Sequence, residues 1–266
     1  MAAFCCVGFE CGVDRERSTR VPEKPSSLVS KEYQPARVEC IYAVIVSLSL
    51  SILLVAVHEA SWIAMLVGVL AGCAVPLLAV SSIMRRQPSY SGPADRITLA
   101  RAILTGTVAT LVVLASFEEY PMRSWWIVLI GGTVLVLDGI DGAVARRTHT
   151  ATEAGARLDT EIDAAHILVM AAPVAHVVGW WALAIGAMRY GFMAATWFRE
   201  SLRGSLDHSD FRRAIGLVQG VVLCLVLVPF VPVWLATFLT ATSLALLVVS
   251  FGRDVNALER AVRRSG

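Results

Sequence analysis

Long stretches with no charged side chain constrain this chain more than anything else in it. Residues 41–57 and 62–84 contain none, and further apolar runs cover 98–117 (interrupted by Arg101), 125–137, 164–188, 190–198, 215–231 and 233–251. A helix crosses a bilayer with roughly 17–25 predominantly apolar residues, and several of these runs reach that length. Run 164–188 reads as most of one span, a turn near 177–181 and the start of another. Eight spans are expected, in an all-α membrane protein. Composition agrees: 56% of residues are hydrophobic and 17% charged, against roughly 25% charged in soluble domains.

The basic residues orient the spans. With the N-terminus in the cytoplasm, 21 of the 23 Lys and Arg fall on that side or at its membrane edge. Arg123 lies outside and Arg189 inside a span, and the odd-numbered connections (58–61, 118–124, 177–181, 229–232) are otherwise free of Lys and Arg. This is the positive-inside asymmetry, and it requires an even number of spans. A net charge of +2 gives no electrostatic case for a nucleic-acid partner. The cysteines Cys5, Cys6, Cys11, Cys40, Cys73 and Cys224 form no disulfide framework, and the first three match no strong metal-site spacing. The apolar stretch at the extreme N-terminus is broken by Glu10 too early to read as a signal peptide.

Four regions are expected: a disordered cytoplasmic tail (1–38), a transmembrane hairpin (39–86), a six-helix catalytic domain (92–253) and a cytoplasmic C-terminal tail (254–266). The tail is polar and rich in Pro and Ser. The hairpin carries no ionisable group inside the membrane except Cys73, so it reads as an anchor or accessory element, and the break at 87–93 separates it from the charged spans.

Those charges fall in one place. The fourth span ends with Asp138-Gly-Ile-Asp141-Gly142-Ala-Val-Ala145-Arg146, and the fifth begins with Gly155-Ala-Arg-Leu-Asp159-Thr-Glu-Ile-Asp163. Both stretches lie at the cytoplasmic face, at one depth. Asp138 and Asp141 are three apart and Asp159 and Asp163 four apart, so each pair shares a helix face. Four carboxylates can therefore converge. An aspartate at mid-span costs about 2.5–3.5 kcal/mol on insertion scales, and four together also repel. Divalent cations relieve both problems, and an all-oxygen donor set suits Mg²⁺, Mn²⁺ or Ca²⁺ rather than zinc. Acidic metal sites beside arginines at a membrane surface fit phosphoryl transfer: metals neutralise a diphosphate while a carboxylate deprotonates the attacking hydroxyl. Gly142 and Gly155 allow close approach of a ligand to backbone, and Arg146 and Arg157 can hold phosphate oxygens.

On these residues the chain resembles the CDP-alcohol phosphatidyltransferase family. The family pattern Asp-x2-Asp-Gly-x2-Ala-Arg-x8-Gly-x3-Asp-x3-Asp is met in full by Asp138, Asp141, Gly142, Ala145, Arg146, Gly155, Asp159 and Asp163. A second element, Pro-Asn-x2-Thr-x2-Arg, is met by Thr98 and Arg101, but Asp95 stands where Asn is usual and Pro93 comes one residue early. Asp95 is expected to cap a helix starting near Arg96. The resemblance implies a six-span core with the N-terminal hairpin as an addition. It implies two divalent ions, Mg²⁺ or Mn²⁺, held by Asp138, Asp141 and Asp159, with Asp163 as shared ligand or general base. It also implies a cytidine nucleotide pocket of Gly142, Ala145, Arg146, Gly155 and Thr98, a homodimer, and transfer from CDP-diacylglycerol to an alcohol with release of CMP.

Arg189, Arg212 and Arg213 are candidates for an acceptor phosphate; equally, Arg189 can pair with a core carboxylate, and Arg212 and Arg213 can be ordinary cytoplasmic charges. Glu161 points away from Asp159. His166, one turn after Asp163, reads as a packed interior histidine, and the Trp125–Trp126 and Trp180–Trp181 pairs as interfacial anchors. A divalent-cation transporter would also place carboxylates within spans, but has no use for the Gly142, Ala145 and Arg146 set. Twenty-one arginines against two lysines point to a GC-rich bacterium, hence an inner-membrane protein with a cytoplasmic active site.

Overall fold

A computed structural model describes residues 34–86, 90–91, 93–118, 120–147, 152–198 and 210–265. The cysteines Cys5, Cys6 and Cys11 and most of the expected N-terminal tail lie outside them.

Hydrocarbon offers backbone N–H and C=O groups no partners, so apolar runs of this length satisfy themselves as helices. Eight are described: α1 (Ala36–Val57), α2 (Trp62–Met84), α3 (Pro93–Phe117), α4 (Trp125–Arg147), α5 (Glu153–Val178), α6 (Leu183–Phe198), α7 (Asp210–Val226) and α8 (Val233–Ser265). A short 3-10 turn, Trp180–Ala182, joins α5 to α6. Gln34–Pro35 and Tyr90–Ser91 form a two-residue antiparallel bridge that ties the start of α1 to the segment before α3. Five helices are long and apolar enough to cross a membrane: α1, α2, α3, α5 and α8. The apolar parts of α4 (Trp125–Ile140) and α7 (Ala214–Val226) are shorter.

The apolar side chains are distributed as lipid requires. Ile41, Ile45, Leu48 and Ile52 on α1 and Trp62, Leu66, Leu70 and Leu77 on α2 face outward. α3 is the opposite case, with 72% of its apolar window buried. It packs against α1, α2, α4 and α5, the position expected of a central helix. Its contact with α2 is backbone to backbone: a Cβ at Gly106 would collide with the Gly72 carbonyl oxygen, and one at Gly72 with the hydroxyls of Ser51 and Thr110. Small residues permit such approaches in membranes, where burying apolar surface supplies no net drive.

Buried side chains form two clusters. One, containing Leu111, Leu114, Ile127, Met170, Val174, Leu223 and Leu227, holds α3, α4, α5 and α7 together. The other joins Ala36, Cys40, Ala79 and Ile83 to Leu99, Ala102, Leu158, Ile162 and Ala165. The second cluster welds the hairpin to α3 and α5, so the hairpin is part of the packed body.

Three boundaries differ from expectation. α3 begins at Pro93, not near Arg96, because a proline at the first helical position lacks an N–H that would be unsatisfied there anyway. Asp95 accordingly lies in the first turn and pairs with Arg86. α1 starts at Ala36, within the stretch read as tail, and α8 runs on through the expected C-terminal tail to Ser265. After Gly252 its sequence holds no Gly or Pro before Gly266 and is rich in Ala, Leu, Glu and Arg, which favour helix.

Candidate functional site

Asp138 sits just past the middle of α4, and Asp159 and Asp163 lie in the second and third turns of α5. α5 starts cleanly because Thr152 caps it, its Oγ1 accepting from the Gly155 N–H at 3.0 Å. Leu158 and Ile162, fully buried, turn the acidic face of α5 toward α3. One oxygen from each of Asp138, Asp159 and Asp163 can then be chosen so that all lie within 4.8 Å of one another. Asp138 is buried, and the side chains of Asp159 and Asp163 are 18% and 17% exposed.

Arg101, from the third turn of α3, enters this acidic group. It is fully buried. Its Nη1 donates to Asp159 Oδ1 and its Nη2 to Asp163 Oδ1, and Nη2 also lies 2.8 Å from Asp138 Oδ1. One guanidinium thus contacts all three carboxylates, using the planar fork that suits arginine to bidentate partners. A buried polar layer lies one turn deeper, where Thr105 Oγ1 and His166 Nδ1 are 3.3 Å apart. Thr98, one turn before Arg101 on α3, is buried and donates to the Ala94 carbonyl at 3.1 Å.

The donor set fits a hard divalent cation. All three donors are carboxylate oxygens, and two oxygens on opposite sides of Mg²⁺ stand roughly 4.2 Å apart, so small rotations of these side chains would close the group on one ion. Asp163 Oδ2 is buried and has no hydrogen-bond partner among the described residues. Such an orphaned anionic oxygen is costly in a low-dielectric interior unless a cation or a proton meets it.

Asp141, Gly142, Ala145 and Arg146 continue α4, but their side-chain surroundings lie outside the described residues. The same holds for Arg212 and Arg213 in the first turn of α7. Gly155 is in the capped first turn of α5, and Arg157 on the exposed side. Arg189 on α6 is half-buried, within electrostatic reach of Glu161 and Tyr190. Glu161 is exposed, as its offset from Asp159 predicts. The role of Arg101 as partner of the acids went unread in the sequence, where it counted as part of a motif. The signal was present: it is the one charge in an otherwise uncharged span, and such residues face the bundle interior and pair.

The sequence model for the CDP-alcohol phosphatidyltransferase family matches residues 91–249, well over half the chain. No curated protein and no solved structure matches it significantly.

Proposed function

The chain belongs to the CDP-alcohol phosphatidyltransferase family, an integral membrane transferase family of lipid synthesis, and from that premise we propose that it moves a phosphatidyl group from CDP-diacylglycerol to an alcohol and releases CMP. The observation that carries the reading is the convergence of Asp138, Asp159 and Asp163 from two helices within 4.8 Å, on the residues that complete the family pattern.

Mg²⁺ or Mn²⁺, when bound by these aspartates with Asp141, supplies positive charge to the diphosphate and its leaving oxygen. The chain's own residues do the rest. Asp163 takes the proton of the acceptor hydroxyl. The acceptor oxygen forms a bond to the β-phosphorus as the bond from that phosphorus to the bridging oxygen breaks, and CMP departs. Gly142, Ala145, Arg146, Gly155 and Thr98 line the cytidine nucleotide pocket. Among the described residues of the motif there is no Ser or Cys, and no His, to act as a covalent nucleophile, which favours direct displacement. Arg189, Arg212 and Arg213 form a basic acceptor pocket suited to a phosphorylated polyol. The enzyme works at the cytoplasmic face of a bacterial inner membrane, as a homodimer, with residues 92–253 as its catalytic unit and the hairpin 39–86 as an addition to it.

The test is CMP release by purified protein from CDP-diacylglycerol, with Mg²⁺ or Mn²⁺ and a panel of free and phosphorylated alcohols. Activity with one acceptor is expected, and Asp163→Asn should lower it by roughly 10²–10⁴. Unchanged release by the variant would remove Asp163 from the mechanism. Failure with every acceptor, together with cation flux in vesicles, would favour a transporter.

A further inference from the structure

The aspartates that would hold a metal already hold a cation, the guanidinium of Arg101. We propose that Arg101 is the built-in counter-ion of the acidic cluster: it keeps the three carboxylates together without metal, and a divalent cation enters in competition with it. The competition rests on the metal reading above; the counter-ion role stands on the geometry alone.

Three carboxylates with oxygens mutually within 4.8 Å repel strongly where little water screens them. A positive group between them offsets this cost to the packing of helices α3, α4 and α5. Arg101 is 0% exposed, so no solvent competes for its charge, and its two terminal nitrogens reach Asp138, Asp159 and Asp163 together. The contacted atoms are Oδ1 of each aspartate, one of the two oxygens each has for a metal. Asp163 Oδ2, buried and without a hydrogen-bond partner among the described residues, is open to an incoming ion. An ion taking that oxygen must then draw the remaining oxygens away from the guanidinium. The fold is therefore independent of metal, and metal affinity is held below what the carboxylates alone would give.

The experiment titrates Mn²⁺ into the full-length protein in detergent, following free Mn²⁺ by electron paramagnetic resonance, with thermal stability recorded in parallel in EDTA. Wild type should remain folded in EDTA. Arg101→Gln should melt at a lower temperature in EDTA, gain more stability from Mn²⁺ than wild type, and bind Mn²⁺ roughly tenfold tighter or more. Arg101→Lys keeps the charge but lacks the fork, so it should fold and bind Mn²⁺ with an intermediate gain. In EDTA the double variant Arg101→Gln/Asp159→Asn should be more stable than Arg101→Gln alone, because it removes one charge of each sign. A merely structural arginine would give lower stability with unchanged or weaker Mn²⁺ binding. That result in Arg101→Lys or Arg101→Gln overturns the competition, and equal stability of Arg101→Gln and wild type in EDTA overturns the counter-ion role. If wild type binds no more Mn²⁺ than Asp163→Asn, the metal reading falls and takes the competition with it; Mn²⁺ binding that Asp163→Asn loses and Arg101→Lys leaves unchanged sinks the competition alone.

Discussion

Individual charged residues in this molecule sit where a specific partner compensates them. Arg123, in the connection between α3 and α4, donates to the Val226 carbonyl at the end of α7 from Nη2 at 2.9 Å and Nε at 3.2 Å. A cation there satisfies a terminal acceptor and complements the negative end of the helix dipole. At the same side of the bundle Glu118 Oε1 accepts the Ser61 N–H at 2.8 Å, joining the α1–α2 turn to the end of α3. Hydrogen bonds from the Ser61 side chain and backbone hold the Glu118 carboxyl below its ordinary value of 4.5. Because the folded-state value is lowered, the contact stabilises fully above the ordinary glutamate range and is lost as pH falls through the lowered one. Amide exchange at Ser61 should therefore be protected at neutral pH and accelerate only below about pH 4.5 beyond its intrinsic pH dependence. In Glu118→Gln that transition should vanish; if the variant retains it, another group is titrating.

Among the helices, α3 does the most positioning work. One face carries Thr98, Arg101 and Thr105 toward α4 and α5, while Gly106 and Thr110 meet α2, where Thr110 Oγ1 donates to Gly68 O at 3.1 Å and lies 3.1 Å from Ser51 Oγ of α1. The depth and rotation of Arg101 depend on both contacts. Arg86 adds a junction at the N-terminal end of α3, its Nη1 donating to Asp95 Oδ1 at 2.6 Å and its Nη2 to the Ala154 carbonyl at 3.4 Å. The end of α2 thereby touches the first turns of both α3 and α5, the helices that carry Arg101, Asp159 and Asp163. Gly106→Leu should force α2 and α3 apart and cost about 1–3 kcal/mol or more of stability. The same substitution at Gly132, where a Cβ meets nothing within 4 Å, should cost far less. Comparing their melting temperatures in detergent checks this, and equal losses would show that the α2–α3 contact is not tight.

For the whole molecule, the outer and inner faces of the helices differ in composition. The outward surfaces of α1 and α2 are apolar, and polar groups gather on the inner faces of α3, α4 and α5. A single crossing by α2 puts the α1–α2 turn and the end of α2 on opposite sides of the membrane. Glu59→Cys should react with an impermeant maleimide on intact cells, and Arg85→Cys only after permeabilisation; both positions are exposed. Labelling of both from one side would overturn the orientation.

The helical class, the family and the shared helix face of Asp159 and Asp163 were legible from residue order alone. Hydrocarbon leaves the backbone one way to bond itself in such runs, and three- and four-residue spacings map directly onto a helix face. Some local outcomes were less legible: the start of α3 at Pro93 turned on whether Asp95 would cap a helix or pair with Arg86, a residue on another helix. That Arg101 reaches all three aspartates was decided by tertiary structure. Its direction depends on how closely α2 lets α3 approach, and on which face of α5 Leu158 and Ile162 pull inward. Those are contacts between residues far apart in the chain, which no local spacing encodes.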